Sequence, residues 1–490
     1  MCRHSKRWCR LLVLAGCLSG LQPLLAQKTT LVLSNYAGVA TGSFAPFWMQ
    51  SNVWGRVSER PNSATQGIGL QHTHTWNPST SLTLAGEWMA MEPRYRTLFT
   101  QQLYALFRYH QLSLHVGQRQ QTSQFELDPD LSSGDLIYSQ NSRPYPEVAV
   151  SLPTYVTVPF TRDWLQCKGS FSVGCSLDDA YLADWTNPIY PYVEHVRWHR
   201  KSLHLKIQDQ RRERPFYVEL GAQHVAQWGG TSLDPDIGTQ PHGWKDFVRV
   251  FFGMKGGADA SWSDRTNVLG NHTISYDIRL GYVKPTWEVQ LYHQHISSDK
   301  SGLELQNGRD GLWGGELKLF RLPWLQRILV EYLTTRNQTG PFHFIDYDHD
   351  KYGGVGGGAD NYYNNGDYKT GNSYFNRGIG SPLLPGPIYN RNGKIGFENN
   401  RVRAFHLGAA GDWDARWSYR ILMSYLQGWG LTEVPYLHRV TGLSFLTSVE
   451  YRPGGSSPWQ FGWQLAGDTG DFTADPSYGI SLQVTYTMGW

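Results

Sequence analysis

Long apolar runs and surplus charge are both missing from this sequence. Beyond its first 26 residues, the 490-residue chain has no stretch near the ~18 consecutive apolar residues that a membrane-spanning helix needs. Charged residues make up 17% of the chain, against about 25% in an average soluble domain. The net charge is +3, which gives no electrostatic reason to expect nucleic acid as a partner. The composition therefore excludes a helical membrane protein and predicts no nucleic-acid partner.

Cysteine is scarce. Three of the five cysteines precede residue 27, which leaves Cys167 and Cys175 in the segment CKGSFSVGC. In an extended strand the two would lie roughly 26 Å apart, too far for a disulfide, whereas a turn at residues 168–170 would bring them together. Both a Cys167–Cys175 disulfide and two free thiols stay open. His72 and His74 share one strand face, and without a third ligand at hand we interpret them as lumen-lining residues rather than a metal site.

Catalytic and cofactor motifs are also missing. The chain has no G-x-S-x-G, no P-loop, no dinucleotide-binding fingerprint and no C-x-x-C, so none of the chemistries that these motifs serve is indicated. Asp346, Asp348 and Asp350 begin like a calcium-binding loop, but Lys351 stands where that loop needs glycine and Gly357 where it needs glutamate. We therefore predict a non-enzymatic protein without a catalytic residue, metal site or cofactor.

Aromatic residues are abundant instead. They make up 14% of the chain, with 20 Trp, 28 Tyr and 20 Phe, while the mean hydropathy is −0.45. A polar average with many rings is typical of a β-barrel, in which half of each spanning strand faces a wet lumen. The terminal residues YGISLQVTYTMGW alternate between apolar and polar side chains from Ile480 to Trp490, as a strand with two different faces requires.

The same alternation recurs along the chain. It predicts hairpins over 103–116 and 274–291 and further strands at 66–76, 81–91, 203–207, 216–220, 246–254, 313–320, 328–335, 401–409, 417–425, 443–451 and 459–465. Aromatic residues at strand ends favour membrane interfaces. We predict an all-β fold for residues 27–490, a transmembrane antiparallel β-barrel of about 16–18 strands that has room for a small helical or loop plug. A large periplasmic or secreted all-β protein is the alternative.

Both ends of the chain indicate an outer-membrane destination. Arg3, Lys6 and Arg7 precede an apolar stretch that ends at Ala26, which is typical of a secretory signal peptide over residues 1–26. The segment around Cys17 also matches a bacterial lipoprotein box, and lipidation there stays open. The terminal Trp490 resembles the C-terminal signal that the barrel assembly machinery reads. We therefore expect a multi-pass protein of the outer membrane, in contact with its lipid.

Two segments lack the strand pattern. Residues 117–165 and 340–400 are rich in turn-forming residues, and we interpret both as loops, the second as a long surface or lumen loop. In the second, tyrosines alternate with amides and an arginine, a mixture that suits sugar rings because aromatic rings stack on their CH faces while polar groups bind their hydroxyls. An ordinary loop whose tyrosines pack on one another is the alternative. The candidate polysaccharide-binding residues of this loop are Tyr362, Tyr363, Asn364, Tyr368, Tyr374 and Arg377.

Four stretches together resemble the capsule assembly Wzi family. They are 137–148 (IYSQNSRPYPEV), 216–232 (FYVELGAQHVAQWGGTS), 329–341 (LVEYLTTRNQTGP) and 359–383 (ADNYYNNGDYKTGNSYFNRGIGSPL). The resemblance implies an 18-stranded outer-membrane barrel with a helical element that helps attach exported polysaccharide without catalysis. It adds Trp228 to the candidate binding residues, although Trp228-Gly229-Gly230 equally suits a structural turn. Residues 27–65 show no amphipathic helix pattern, so we do not expect the family's helical plug.

The prediction from sequence is a non-catalytic outer-membrane barrel that assembles or attaches capsular polysaccharide or exopolysaccharide. A porin-like channel for oligosaccharides or small solutes is the first alternative. An outer-membrane lipid or glycan hydrolase, with a serine, a histidine and an acid assembled across strands, is the second.

Overall fold

Eighteen antiparallel strands form one closed sheet. The computed structural model describes residues 27–93, 97–209, 214–342, 358–455 and 457–490; the predicted signal peptide, Cys17 and the acidic stretch at 346–350 lie outside these ranges. The barrel strands are β1 (Gln27–Ala40), β2 (Ser63–Asn77), β3 (Thr80–Glu92), β4 (Leu98–Tyr109), β5 (Leu112–Gln118), β6 (Pro146–Thr157), β7 (Leu165–Cys175), β8 (Arg197–Gln208), β9 (Phe216–Trp228), β10 (Asn271–Val283), β11 (Trp287–Ser297), β12 (Gly311–Leu319), β13 (Arg327–Thr334), β14 (Val402–Asp412), β15 (Trp417–Gly430), β16 (Pro435–Tyr451), β17 (Trp459–Gly470) and β18 (Ser477–Gly489).

The first and last strands close the barrel. β1 pairs antiparallel with β18 in a continuous register from Thr30↔Gly489 to Ala40↔Gly479. Beyond this ladder, the backbone N–H groups of Thr29 and Trp490 each donate to the other residue's carbonyl, at 2.9 and 3.0 Å. Every other strand pairs with its neighbours in sequence, so the sheet has no free edge to attract another chain. The predicted β-barrel is thereby confirmed, at the upper end of the predicted strand number.

The alternation of side chains separates a lipid face from a lumen face. In β10, Tyr276, Ile278 and Leu280 point outward and are exposed, whereas Asp277 and Arg279 between them are buried. A period of two residues has this effect in any strand, and here it puts the apolar set outside and the charged set inside. No helix among the described residues is long and apolar enough to cross a membrane.

The two ends of the barrel differ. The end at which β1 begins and β18 ends has the short turns 78–79, 110–111, 284–286 and 413–416, whereas the opposite end has the long connections 41–62, 119–145, 176–196, 229–270 and 335–401. In outer-membrane barrels the short turns are periplasmic and the long loops extracellular. We therefore refer to the two ends as the periplasmic end and the outer end.

Three outer-end segments fold back into the lumen, and we refer to residues 41–62, 119–145 and 358–401 together as the plug. The plug is buried along most of its length. Its apolar side chains Phe47, Trp48, Phe125 and Tyr362 join the inward side chains of the wall in one hydrophobic cluster. Its regular structure is limited to the helix α1 (Phe47–Gln50), a 3-10 turn at Pro387–Tyr389 and a two-residue strand pair, Ser373–Tyr374 with Arg377–Gly378.

Buried charges in the wall hold the plug in place. Glu331 of β13 accepts hydrogen bonds from Ser132 Oγ and the Ser133 N–H, both at 2.7 Å. Arg279 forms an ion pair with Glu219 of the wall at 3.1 Å and also donates to the carbonyl of Phe125. An unpaired buried charge is destabilising, so these contacts stabilise the plug against the wall.

Further helices lie at the outer end: α2 (Asp179–Trp185), α3 (Trp244–Phe252), α4 (Trp262–Thr266) and α5 (Lys300–Leu303). α3 covers the outer wall, because Phe247 packs against Trp228 of β9 with ring centroids 5.6 Å apart. The strand predicted at 246–254 was wrong, since most of this stretch is α3, in which Val250 is buried in one cluster with Ala226 and Trp228 while Phe252 is exposed.

Two further expectations need correction. Segment 117–165 was predicted as a loop, but residues 146–157 within it form β6. Pro146 at the start of this strand and Pro153 inside it obscure the strand pattern in the sequence. His72 and His74 lie on the outward face of β2 with the exposed Ile68 and Leu70, and not on its lumen face.

Of the two alternatives left open for the remaining cysteines, the structure shows free thiols and no disulfide. Cys167 and Cys175 are both free, and they lie toward opposite ends of the same strand, β7. Residues 168–170 form no turn, because they continue the ladder with β8 from Lys168↔His204 to Ser170↔Ser202. A continuous strand keeps the two sulfur atoms roughly 26 Å apart, far beyond disulfide reach.

Candidate functional site

A cleft of about 500 Å³ opens at the outer end of the barrel, between residues 55–60, helix α2 and residues 375–388 of the plug. Its lining combines aromatic rings with cations and carboxylates on a largely irregular backbone. The lining residues on which the argument depends are Glu59, Arg60, Arg143, Tyr181, Asp184, Trp185, Phe375 and Arg377.

Arg377 forms the floor of the cleft. Its guanidinium donates to the carbonyls of Gln50 at 3.1 Å and Val57 at 2.9 Å, and it lies 3.9 Å from a carboxylate oxygen of Glu59. These contacts tie the plug hairpin at 373–378 to residues 50–59. A planar, multiply donating guanidinium suits this bridging position, so Arg377 sets the shape of the cleft.

Arg143 lies between the ring of Phe375, which lines the cleft, and the ring of Phe99 behind it. Its guanidinium carbon is 4.4 Å from the Phe99 ring centroid and 4.3 Å from the Phe375 centroid, and one terminal nitrogen donates to the carbonyl of Thr100 at 2.6 Å. Its buried Nε has no hydrogen-bond partner among the described residues. Gly55 makes room for it: with φ at +63°, an added Cβ would lie 2.9 Å from Arg143 Cγ.

The aromatic wall depends on a tight turn. Phe375 and Asn376 both have positive φ, at 51° and 59°, which turns the Phe375 ring against Tyr181 with centroids 5.3 Å apart. The backbone N–H of Phe375 donates to the Asp178 carboxylate at 3.0 Å. Burial raises the pKa of Asp178 to about 7. The turn and helix α2 are thus joined through a carboxyl group that titrates near neutral pH.

The lip of the cleft is accessible. The Arg60 side chain is 63% exposed and lies 3.6 Å from a carboxylate oxygen of Glu59. Asp184 is exposed and Trp185 half-buried. Rings beside paired cations and carboxylates present stacking surfaces together with donors and acceptors, which suits a polyhydroxylated ring compound. Among the described residues, no group of three or more His, Cys, Asp or Glu could hold a metal ion.

The four candidate tyrosines lie inside the plug. Each has at most 1% of its surface exposed. Tyr363 donates to the carbonyl of Leu136 at 2.5 Å and Tyr368 to that of Gly229 at 3.0 Å, while Tyr362 accepts from Asn307 Nδ2 at 2.6 Å. In this arrangement the rings shape the plug and do not form its surface; whether they contact a polysaccharide stays a prediction.

The other three candidate residues are divided among three places. Asn364 pairs with Phe397 inside the plug, through the Phe397 carbonyl at 2.9 Å and its N–H at 2.8 Å. Arg377 lines the cleft. Trp228 is covered by α3 on the outer wall, and the glycines that follow it have φ of +62° and +84°, as the alternative interpretation of a structural turn requires.

Most of the cleft residues were missed from the sequence. Arg60, Arg143 and Trp185 belong to three outer-end connections that are far apart in sequence. The segment DDAYLADWTNP (178–188) carried a usable signal, since its carboxylates and rings stand at helical spacing and end at a proline. Nothing in the sequence alone indicates that this short helix meets the plug.

Comparisons with known proteins support the fold. The structure of Wzi from Escherichia coli, described as an outer membrane protein involved in group 1 capsule assembly and as a carbohydrate-binding β-barrel, matches with a TM-score of 0.58 and 14% identity over 99% of this chain and 89% of Wzi. The fold is therefore that of a Wzi-like outer-membrane barrel, as the motif resemblance predicted.

Two Pseudomonas aeruginosa structures are more distant. OccK5 (OpdH) matches with a TM-score of 0.48 and 11% identity, covering 95% of this chain and 98% of that chain. OprD matches with 0.47 and 9%, covering 95% and 94%. A scan against protein-family models gave no match, and a search of curated protein sequences gave none either.

Proposed function

We propose that this chain is a non-catalytic outer-membrane barrel that helps to assemble or attach a capsular or extracellular polysaccharide at the cell surface. Its export through residues 1–26 and its assembly through Trp490 are part of the proposal. The observation that carries it is the plug: segments from three outer-end connections fill the lumen and bond to the wall, while the cleft above them faces outward.

A plugged lumen favours attachment over transport. Solute passage would require displacement of Ser132 and Ser133 from Glu331 and of the Phe125 carbonyl from Arg279. Each of these contacts satisfies a buried charge, and leaving such a group unpaired costs about 1–3 kcal/mol or more. A porin-like channel predicts the opposite arrangement, with polar groups lining open water.

The cleft supports a glycan as the ligand. Trp185, Tyr181 and Phe375 offer ring faces, and Arg60, Glu59 and Asp184 offer hydrogen-bonding groups at the lip. This mixture suits sugar rings, whose CH faces stack on aromatics while their hydroxyls bond to charged groups. The description of Wzi as a carbohydrate-binding barrel agrees with this assignment.

The test is capsule retention in a deletion strain complemented with variants. Trp185→Ala removes the half-buried ring of the cleft, and Trp262→Ala removes an exposed ring on α4 that is outside it. We expect the deletion and Trp185→Ala to shed polysaccharide into the medium, whereas wild type and Trp262→Ala retain it. Unchanged surface polysaccharide in the deletion strain would contradict the function; retention by Trp185→Ala at wild-type expression would contradict the site.

A further inference from the structure

Three arginines place their guanidinium groups around one tryptophan at the outer end of the barrel, and a fourth arginine lies beside them. The guanidinium carbons of Arg336, Arg403 and Arg439 lie 4.0, 5.9 and 6.0 Å from the Trp429 ring centroid. Arg401 adjoins them through the Trp429 N–H, which donates to the Arg401 carbonyl at 3.0 Å. We refer to Arg336, Arg401, Arg403 and Arg439 as the arginine cluster. It is separate from the cleft, and Arg401, the last residue of the plug, is its only member in the plug.

The arginine cluster faces the membrane side of the wall. Arg403 of β14 stands two residues before Phe405, which is outward-facing and 52% exposed, and therefore on the same face. On β15, Trp429 shares its face with the exposed Tyr425. The cluster thus lies at the outer edge of the apolar belt, at the depth where lipid headgroups meet a barrel.

Three of the four side chains have a hydrogen-bond donor that no described residue satisfies. The Nε atoms of Arg336, Arg401 and Arg403 are buried and have no hydrogen-bond partner among the described residues. Burial, together with the neighbouring Arg403 and Arg401, lowers the pKa of Arg336. Asp310, which also influences Arg336, is already engaged as acceptor for the N–H groups of residues 337 and 338, at 3.1 and 2.8 Å.

Like charges held together with unmet donors form a site for an anion. Guanidinium groups bind phosphate through two parallel hydrogen bonds each, and four of them exceed what a single phosphate needs. We infer that the arginine cluster binds an outer-leaflet lipid that carries more than one phosphate, with its headgroup on the guanidiniums and an acyl chain along Phe405 and Tyr425.

The experiment measures how much phosphorylated lipid the full-length protein retains. Wild-type protein in detergent micelles is mixed with a diphosphorylated lipid A, repurified and analysed by native mass spectrometry. The test variant combines Arg336→Gln, Arg403→Gln and Arg439→Gln. The control combines Arg321→Gln, Arg416→Gln and Arg452→Gln, which removes the same charge from exposed sites at the periplasmic end. Heat-modifiable mobility on gels verifies that each barrel is folded.

We expect the test variant to retain at least about tenfold less lipid A than wild type, because the loss of one charge-assisted hydrogen bond lowers affinity by roughly that factor. The control should match wild type. The single substitution Arg439→Gln, at an exposed position, should reduce retention even if the triple variant folds poorly. The proposal would be overturned if Arg439→Gln, and the triple variant if it folds, retained as much lipid A as wild type.

Two competitors identify the source of the phosphate. Inorganic phosphate should fail to displace lipid A, since the acyl contacts contribute to binding; displacement at millimolar concentration would mean that the cluster is a site for free anions and would overturn the lipid assignment. Displacement by the strain's own polysaccharide would assign the cluster to that glycan instead. The proposed function depends on the cleft and predicts polysaccharide loss from the deletion strain and from Trp185→Ala. The lipid inference predicts no such loss from Arg439→Gln. A capsule retained by the Arg439→Gln strain therefore separates the two proposals.

Discussion

Strand β10 in the wall and residues 358–401 in the plug both bury charged and aromatic groups, but they gain their order differently. In β10, side chains alternate between lipid and lumen by their position in the strand alone: Tyr276 and Ile278 face lipid, and Asp277 and Arg279 face the lumen. In the plug, Tyr362, Tyr363 and Tyr368 have no period, and each is fixed by a hydrogen bond to a different partner. The wall is specified by a local pattern, and these plug tyrosines by contacts with outer-end connections that are distant in sequence.

The largest effect should come from removing the buried acceptor that joins wall and plug. Glu331 accepts from Ser132, Ser133 and Tyr292, so Glu331→Ala leaves several buried donors unpaired, at a cost of about 3 kcal/mol or more. We expect the plug to loosen while the wall persists, seen as new conductance in planar bilayers from a heat-modifiable barrel. Glu433→Ala, in an exposed turn, is the control and should stay silent. A silent Glu331→Ala would mean that the plug is held by other contacts.

A charge on the lipid face tests the wall itself. Ile278→Arg places a guanidinium near the middle of β10, at a position that is 40% exposed on the outward face. We expect a loss of about 2–4 kcal/mol in the free energy of unfolding from bilayers, the range for arginine near the midplane. The measurement is a urea titration in liposomes. Stability equal to wild type would show that residue 278 does not face lipid.

The pH dependence of the plug turn should be smaller and opposite in sign to that of a salt-bridged acid. Burial raises the pKa of Asp178 from 3.8 to about 7, so its contribution is complete below about pH 4 and declines as pH rises toward 7. Between pH 5 and pH 7 the local stability should fall by about 2 kcal/mol. Hydrogen exchange of residues 373–378 measures this fall, and Asp178→Asn should remove most of it. Greater protection at pH 7 than at pH 5 in the wild type would refute the assignment.

The smallest effect concerns the free thiols. Because Cys167 and Cys175 lie apart on one strand, the double substitution Cys167→Ser and Cys175→Ser should change the unfolding free energy by less than about 1 kcal/mol. Electrophoretic mobility should be the same with and without reductant. A reductant-dependent change in the mobility of the wild-type monomer would show that Cys167 and Cys175 form a disulfide.

The sequence predicted the wall because its rule is local. Ile480 to Met488 alternate, and they do form the outward side of a strand that pairs with β1. The plug could not be read in the same way. Tyr362 and Tyr368 look like a surface set in a polar loop, and only their distant partners, Asn307 and Gly229, show that they are buried. The cleft could not be predicted from the sequence for the same reason, since Arg60, Trp185 and Phe375 come from three separate connections and meet only in the folded protein.

Hydrogen exchange of the detergent-purified full chain, with and without an oligosaccharide prepared from the strain's polysaccharide, tests the central claim most directly. A closed barrel with an outward cleft predicts added protection at residues 55–60, 179–185 and 375–378, with no change along the lumen-facing residues of the wall. Protection along the lumen instead, or binding that leaves the cleft segments unprotected, would contradict the account.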